Sequence, residues 1–402
     1  MSSEARIREV FAAKGGVLRL LPNWVPRGWG KSGHRLRLHP DDYYAMGMNR
    51  GEIKERWFSS ICPAYGNPDA APDEGMSYVQ AGKGTEDKIL LKDFIDTLGR
   101  EIIGDELMDK YGTWPMYSKI YDFRTPLFFH VHLTPETAAA VGRNAKPESY
   151  YYPPQYNMFE GDFPFSFFGF DSTVTKEDVK ECLRNFEKGD NRITDLSKAY
   201  RLKPGTGWYI PAGVIHAPGS FVTYEPQWNS DVNAIFENVT AGEVNSYDAL
   251  VQQVPEDKKH DIDYIMTTLD WEKNMDPDFR KTYFRPPVCA RKEEGYSEKW
   301  VSYANDYFCA KELTVEPGAT VVVKDPACYG VFITQGHGEF GEFDDAEAAQ
   351  MLRYGQASAD EYFVSEDAAR RGIRIVNHSN TEPFVILKHF GPNNHEAPAS
   401  VE

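Results

Sequence analysis

The chain has few cysteines and no long apolar segment. Its five cysteines are scattered, odd in number and never spaced as Cys-x-x-Cys (Cys62, Cys182, Cys289, Cys309 and Cys328). This pattern suits reduced thiols in the cytosol. The sequence has no apolar run of about eighteen residues, the length that a membrane helix needs, and its first residues lack the apolar run of a signal peptide. We therefore expect a soluble, cytoplasmic protein without membrane contacts.

Positive charge is also scarce. The chain carries 44 Lys and Arg against 61 Asp and Glu, which gives a formal net charge of −17. Nucleic acids and anionic membranes would both repel such a chain. This balance argues against nucleic-acid and membrane partners, and it leaves small molecules as the expected class of ligand.

Composition favours a mainly β fold. Aromatic residues make up 14% of the 402 residues, and glycine and proline are frequent, at 32 and 26 residues. These proportions favour short strands joined by tight turns over a helical bundle. The length is enough for two or three domains, each with its own core.

A few helices interrupt the strand-rich pattern. Apolar residues at helical spacing predict a helix over 88–103, and a Thr-x-x-Asp capping signal at Thr175 begins a second one near 175–189. A short helix is expected from Asp261 to Leu269. Strand patterns return after 296, at 320–323, 330–333, 373–376 and 384–387. We expect a first domain over 1–250, a connector over 251–295 and a second barrel over 296–402.

Two histidine motifs carry the chemistry of metal binding. His130 and His132 are two residues apart, so on a strand both imidazoles lie on one face. His216 follows a tight turn that contains Gly205, Pro211 and Gly213. A histidine pair followed by Gly-x5-Pro-x-Gly-x2-His is the pattern of the cupin barrels. We therefore expect one metal ion held by these three imidazoles.

The fourth ligand has two candidates from spacing alone. Glu148 lies between the two histidine motifs, and Glu136 follows His132 at the spacing of the carboxylate in general cupins. Glu136 also fits the first turn of a helix that begins at Thr134. A different segment, Leu38-His39-Pro40-Asp41, is similar to a metal motif but lies before the helix at 88–103, and we place the site at 130–132 instead.

From about residue 110 to 245, the chain resembles the type I mannose-6-phosphate isomerases, which are metal-dependent double-cupin enzymes. The similar blocks are Trp114 to Ile120, Pro126 to His132, Asn144-Ala145-Lys146-Pro147-Glu148, Phe163 to Phe170, Tyr209 to His216, and Ser230-Asp231. Weaker likeness covers Trp29-Gly30 and Glu55-Arg56-Trp57. The resemblance implies two cupin barrels with a few added helices, and it favours Glu148 over Glu136 as the metal ligand.

The resemblance also implies an activity and a cofactor. The activity is aldose–ketose isomerisation of a carbohydrate, and the cofactor is one divalent ion held by His130, His132, Glu148 and His216. Zinc is the first expectation, and manganese, iron and cobalt also suit such a ligand set. Lys119 and Lys146 correspond to lysines of the family's active site. They are the expected catalytic groups, with pKa values that a nearby dication would lower.

Departures from the family pattern bear on the substrate. Phe128 stands where the family has the serine of its phosphate pocket, and Ile235 stands where its arginine should follow Ser230-Asp231. A partly buried phosphate needs several charged donors. We therefore expect a non-phosphorylated sugar, unless arginine and lysine from other loops rebuild a phosphate site. Glu237 is two residues after Ile235, so on one strand both side chains would lie on the same face and point into the pocket. Glu237 is therefore a further candidate acid or base.

Two other classes of function remain open. Cupins with three His and one Glu also include iron-dependent dioxygenases, which would consume oxygen. A sugar-binding protein that retains the metal site without catalysis is the third reading.

Overall fold

The protein is built mainly from antiparallel strands. The computed structural model describes residues 3–67 and 69–401. Strands account for 31% of the chain and helices for 21%, which confirms the mainly β class. No helix among these described residues is long and apolar enough to cross a membrane.

Apart from Leu91–Tyr111, the helices of the described residues are short, with at most ten residues each. Those in the described part of the chain are Glu4–Ala13, Leu91–Tyr111, Pro135–Ala139, Lys176–Arg184, Tyr247–Val251, Ile262–Met266, Trp271–Asn274, Phe279–Tyr283 and Glu366–Arg371. The predicted helix at 88–103 starts three residues later and continues past Gly104, whose φ of +83° breaks the helical geometry. The capping signal at Thr175 forms a complete capping box with Asp178. Asp261 caps the third predicted helix.

Two sheets of the N-terminal half carry the residues of interest. One has seven strands, in the order Phe284–Arg285, Gly207–Ile210, Glu148–Tyr151, Thr223–Trp228, Met116–Tyr121, Glu52–Phe58 and Asn23–Arg27. The other has five strands, in the order Lys198–Arg201, Phe165–Phe168, His216–Ala217, His130–Val131 and Ala234–Ile235. Two-stranded ladders join Tyr78–Gln80 to Lys88–Leu90, and Val239–Thr240 to Glu243–Val244.

The C-terminal half contributes two more sheets. A seven-stranded sheet has the order Val17–Arg19, Glu361–Val364, Tyr329–Gln335, Phe384–Phe390, Cys309–Val315, Tyr296–Ser302 and Val288–Glu293. A four-stranded sheet has the order Thr320–Val323, Ile373–Asn377, His337–Phe340 and Phe343–Glu347. All four strand segments predicted after residue 296 are present. The N-terminal strand Val17–Arg19 joins this half by pairing with Glu361–Val364.

A buried ion pair links the two halves. The guanidinium of Arg56, on the strand Glu52–Phe58, donates hydrogen bonds of 2.8 and 2.6 Å to the carboxylate of Asp360. The side chains are 2% and 0% exposed. Glu361 also contacts Arg56, but burial raises the pKa of Glu361 to about 8. The two hydrogen bonds to Asp360 are also shorter than the 3.2 Å contact with Glu361, so Asp360 is the closer partner of the guanidinium.

Replacing Asp360 by Asn should destabilise the protein by about 3–5 kcal/mol, because it leaves a buried guanidinium without its anion. Urea denaturation at pH 7 measures the change. The control is Glu177→Gln, which breaks an exposed pair with Arg184 and should change the free energy of unfolding by about 0.5 kcal/mol or less. If Asp360→Asn cost no more than the control, the pair would have no such role.

Candidate functional site

Three buried imidazoles converge on one point of the five-stranded sheet. His216 and His130 are direct partners on neighbouring antiparallel strands, and His132 follows immediately after the strand His130–Val131. One ligand nitrogen from each ring lies within 4.8 Å of the others. The exposures of the three residues are 5%, 3% and 0% for His130, His132 and His216. The sheet register thus produces the cluster that the two sequence motifs indicated.

Backbone carbonyls orient all three rings. The Nδ1 atoms of His130, His132 and His216 lie 2.9, 2.6 and 2.9 Å from the carbonyl oxygens of Phe128, Val232 and Val214. A carbonyl oxygen only accepts hydrogen bonds, so each Nδ1 carries the proton and each Nε2 presents a lone pair. The three lone pairs therefore face the same small region.

Glu148 brings a carboxylate beside the imidazoles from a strand of the seven-stranded sheet. Its carboxylate oxygens lie 3.0 Å from Nε2 of His132 and 3.0 Å from Nε2 of His216. The hydroxyl of Tyr150 and the ammonium of Lys146 donate hydrogen bonds to it. Burial opposes ionisation of Glu148, but Lys146 and His132 outweigh it and hold the pKa of Glu148 well below its usual range.

The four donors fit a divalent metal ion. Nε2 of His216 is buried without a hydrogen-bond partner, and such an orphaned acceptor is costly unless a cation or a donor satisfies it. Burial, with the other two imidazoles, holds the pKa of His130 well below its usual range. Burial and then Lys146 lower the pKa of His132 to about 4. Neutral imidazoles and a carboxylate are the forms that bind zinc and similar ions.

The competing candidate ligands lie elsewhere. Glu136 is exposed in the first turn of the helix Pro135–Ala139, which Thr134 caps as expected. His39 caps a short helix by accepting a hydrogen bond from the backbone of Asp41. Neither belongs to the histidine cluster, so of the two carboxylates weighed for the fourth position the structure places Glu148 beside the imidazoles.

The seven-stranded sheet adds a row of paired charges next to the histidines. Glu225 and Lys119 are direct cross-strand partners, with the ammonium 3.3 Å from the carboxylate. The Lys119 ammonium also lies 3.7 Å from Glu55, and that of Lys146 lies 3.1 Å from Glu225. All four side chains are nearly fully buried. The row therefore alternates in charge from Glu55 to Glu148, with both lysines between carboxylates.

These contacts change the roles expected for the lysines. Burial alone would lower the pKa of Lys146, but Glu148 and Glu225 outweigh it and raise that pKa above its ordinary value. Lys146 therefore stays protonated near neutral pH and suits a cation better than a base. Burial, with the neighbouring Glu148, raises the pKa of Glu225 to about 8 even though both lysines oppose the shift. A carboxyl group with such a pKa can give and take a proton at neutral pH.

Arg27 and Glu225 are site residues that sequence reasoning did not identify. Arg27 lies 5% exposed beside the cluster, and its guanidinium contacts Glu55 at 3.0 Å and Asp231 at 3.1 Å. Arg27 lies two residues before Trp29-Gly30, which resembles the family. That resemblance is the sequence feature that could have drawn attention to Arg27. For Glu225 the signal was alternation, because Thr223, Glu225 and Gln227 are polar at every second position of one strand and so share a face.

Glu237 does not lie in the cavity beside the cluster. The parity argument fails because the strand that carries Ile235 ends at that residue. The Glu237 carboxylate instead accepts a hydrogen bond of 2.8 Å from the backbone nitrogen of Phe129. Burial raises the pKa of Glu237 to about 7, yet the residue is absent from the cavity wall.

The cavity is small and mostly polar. Its volume is about 40 Å³. Two of the three histidines, the charged row and an aromatic wall that contains Trp29 and Phe128 bound it. The full lining consists of Arg27, Trp29, Glu55, Lys119, Tyr121, Leu127, Phe128, His130, His132, Lys146, Glu148, Tyr150, Pro218, Glu225, Asp231, Val232 and Asn233. Each cation in this lining is already paired with two carboxylates. Phe128 and Ile235, where the family has polar phosphate-binding residues, are both buried.

Comparison with solved structures identifies the fold. Mannose 6-phosphate isomerase from Bacillus subtilis superposes with a TM-score of 0.58 at 15% identity, over 93% of this chain and 99% of that one. A point mutant of phosphomannose isomerase from Salmonella typhimurium gives 0.59 at 13% identity, over 93% and 99%. No protein-family model and no curated protein matches the sequence. The chain therefore shares the cupin fold of the phosphomannose isomerases across nearly its whole length.

The purified protein should bind one zinc ion per chain, and His216→Ala should weaken that binding by more than about 100-fold, beyond the usual effect of a residue outside the ligand shell. Titration with a fluorescent zinc chelator measures both values. His337→Ala removes a histidine of the C-terminal half that is exposed and should leave the affinity unchanged. Equal affinity in the wild type and His216→Ala would place the ion somewhere else.

Proposed function

We propose that this chain, which has the fold of the phosphomannose isomerases, is a metal-dependent aldose–ketose isomerase that acts on a non-phosphorylated sugar. His130, His132, Glu148 and His216 would hold one divalent ion, with zinc as the first candidate. The observation that carries the proposal is this buried donor set beside acid–base groups in one cavity. Lys119, Lys146 and Glu225 are the acid–base and polarising groups.

The pairing of charges supports a neutral substrate. Arg27, Lys119 and Lys146 are the cations of the cavity lining, and each contacts two carboxylates. Four carboxyl groups (Glu55, Glu148, Glu225 and Asp231) face these three cations, so the other three still match the cations in number when Glu225, with its pKa of about 8, is protonated. A phosphate dianion would have to displace carboxylates that themselves need the cations, at a cost of several kcal/mol. Arg27 is an arginine from another part of the chain, of the kind that could rebuild a phosphate site. Its charge is already paired with Glu55 and Asp231, so it is not free to bind a phosphate.

Isomerisation moves one proton between C1 and C2 through an enediol. A bound divalent ion supplies Lewis-acid stabilisation of the negative charge that develops on the sugar oxygens. The carboxylate form of Glu225 takes the proton from C2 of the open-chain aldose, and the same carboxyl group returns it to C1. The ammonium groups of Lys119 and Lys146 lie beside Glu225 and donate hydrogen bonds to the oxygens that gain charge. The hydroxyl proton of O2 passes to O1 through one of these ammonium groups, which gives a proton to O1 and takes one from O2. The proton count then closes, and no external reductant or oxidant is needed.

The sheet arrangement supports a two-barrel organisation. We assign the seven- and five-stranded sheets of the N-terminal half to a catalytic cupin that covers about 1–250. The seven- and four-stranded sheets of the C-terminal half form a second cupin over about 296–402, to which the strands Val17–Arg19 and Val288–Glu293 add from outside that range. Residues 251–295 connect the two, and their helices pack against the five-stranded sheet through Ile265 and Leu269. We place the enzyme in the cytoplasm.

Zinc-loaded protein in D2O should introduce deuterium at C1 or C2 of a free aldose or ketose, because the transferred proton exchanges with solvent during enediol formation. NMR of free hexoses, free pentoses and their terminal phosphates measures the exchange. The control is His216→Ala, which should show none. Exchange restricted to the phosphorylated sugars would overturn the neutral-substrate proposal and retain the isomerase. No exchange by metal-loaded protein would favour an oxygen-dependent enzyme or a binding protein.

Glu225→Gln should lower kcat by about 10²–10⁴-fold, the usual contribution of a positioned acid–base group, with a small effect on KM. Glu237→Gln is the matched control, because it makes the same substitution at a half-buried glutamate that also has a raised pKa but does not line the cavity. It should leave kcat within about twofold of the wild type. Steady-state kinetics with the best substrate of the exchange experiment gives both values. The reverse result, with kcat lost in Glu237→Gln alone, would return the role to Glu237.

A further inference from the structure

A second cavity lies directly behind the aromatic wall of the first. It measures about 80 Å³, and both cavities are bounded by Trp29, Leu127 and Phe128. Sites for small-molecule ligands usually measure about 300–1,000 Å³. Neither cavity alone can therefore admit a sugar in this conformation, and the wall between them has to move before a substrate enters.

The indole of Trp29 forms the centre of that wall. It stacks on Phe123 with ring centroids 4.9 Å apart and meets the edge of Phe128 at 4.8 Å. Phe128 in turn packs edge-on against His130 at 5.3 Å. Trp29 thus lies one aromatic ring away from the histidine cluster, on the side that leads into the second cavity.

The backbone around Trp29 is anchored on both sides and loosely held between. On one side, the Arg27 carbonyl accepts a hydrogen bond of 2.7 Å from Lys54. On the other, the Lys31 carbonyl accepts one of 2.9 Å from the backbone of Arg124. Between these anchors, the backbone of residues 28–30 makes one hydrogen bond within the part of the chain that the structure describes. In it, the Gly30 nitrogen donates to the carboxylate of Glu243 at 3.0 Å. Glycines on both sides of Trp29 give this segment the conformational freedom of a hinge.

The lining of the second cavity suits a neutral polyhydroxyl chain. Its polar groups are Thr125, Thr240 and Asn245, and its charges are one Lys31 and one Glu243, of opposite sign. Aromatic and apolar surface from Trp29, Pro126 and Phe128 faces them. Hydroxyl and amide groups hydrogen-bond to sugar hydroxyls, while ring faces pack against sugar C–H groups.

We propose that the second cavity binds the hydroxylated tail of the substrate, the carbons beyond the reacting C1 and C2, and that the Trp29 segment shifts to join the two cavities and packs its indole against that tail. This inference rests on the proposed function, because it places the reacting carbons beside His130 and Glu225. The joined pocket would select free sugars of five or six carbons over shorter ones, and uncharged tails over phosphorylated ones.

Calorimetry on the zinc-loaded full chain tests the subsite with mannose, erythrose, the alditol mannitol and mannose 6-phosphate. The wild type should bind mannose and mannitol more tightly than erythrose. Trp29→Ala should weaken mannose binding about tenfold, the loss expected for one aromatic packing contact. It should change erythrose binding by less than about twofold. Trp271→Ala removes an indole outside both cavities and controls for general destabilisation.

Tryptophan fluorescence tests the movement. Mannose should change the emission of the wild type, and Trp29→Phe, which retains a ring at the wall, should lose that change. Equal losses for mannose and erythrose in Trp29→Ala, or an emission change that persists in Trp29→Phe, would overturn the proposal. Tighter binding of mannose 6-phosphate than mannose would overturn the neutral tail.

The binding and exchange experiments separate the two proposals. Length-dependent binding that Trp29→Ala abolishes, without deuterium exchange by the wild type, would leave the subsite standing and remove the isomerase. Exchange with sugars of all lengths at similar kcat/KM, unaffected by Trp29→Ala, would keep the isomerase and remove the subsite.

Discussion

The mutual neutralisation of buried charges is the constraint on which this site depends. An isolated ion in the interior costs several kcal/mol or more, and a paired one is tolerated where geometry supplies partners. Antiparallel register provides them here, because Glu225 and Lys119 lie opposite each other on neighbouring strands. Lys146 and Arg27 extend the same alternation at the two ends of the row. The site can thus accept a metal dication at its imidazole end, but a charged substrate would have to break pairs that hold the row together.

The C-terminal half uses the same device without imidazoles. Lys311 and Lys388 both lie 2.7 Å from Asp325, and Lys388 also contacts Glu298. These four side chains are at most 1% exposed. They comprise two cations and two anions, and Lys311 and Glu298 make further contacts with Glu396 and Arg291 at 3.5 and 3.8 Å. In the described part of the chain, the metal-type cluster is the one formed by His130, His132 and His216. The two halves therefore differ in chemistry, because the four buried charged side chains of the C-terminal cluster include no imidazole, whereas the charged row of the N-terminal half ends at three.

The sequence predicted the parts of the structure that depend on local pattern. Period-two alternation, capping residues and tight turns identified strands such as Thr320–Val323, the helix that Thr175 caps, and the histidine spacing of the metal cluster. It missed what depends on pairing between distant strands. Strand register places Arg27 and Glu225 at the site, and a single sequence does not reveal register. Glu237 lies outside the cavity because its strand ends at Ile235, so the alternation of side chains expected up to residue 237 does not apply. The raised pKa of Lys146 likewise depends on two carboxylates brought together by the fold.

The proposed isomerisation explains why the cavity is closed, because the charged row acts most strongly on a substrate when water is excluded. A low-dielectric, water-poor site strengthens every charge–dipole contact, and a cavity of about 40 Å³ leaves room for little water. Such a site cannot also be permanently open. The movable part has to lie where few backbone hydrogen bonds are lost, which excludes the strands that carry the imidazoles and the carboxylates. The Gly28-Trp29-Gly30 segment meets this condition, and Trp29 borders both cavities. The sheets can thus hold the reacting groups in fixed positions while this one short loop moves to admit the substrate.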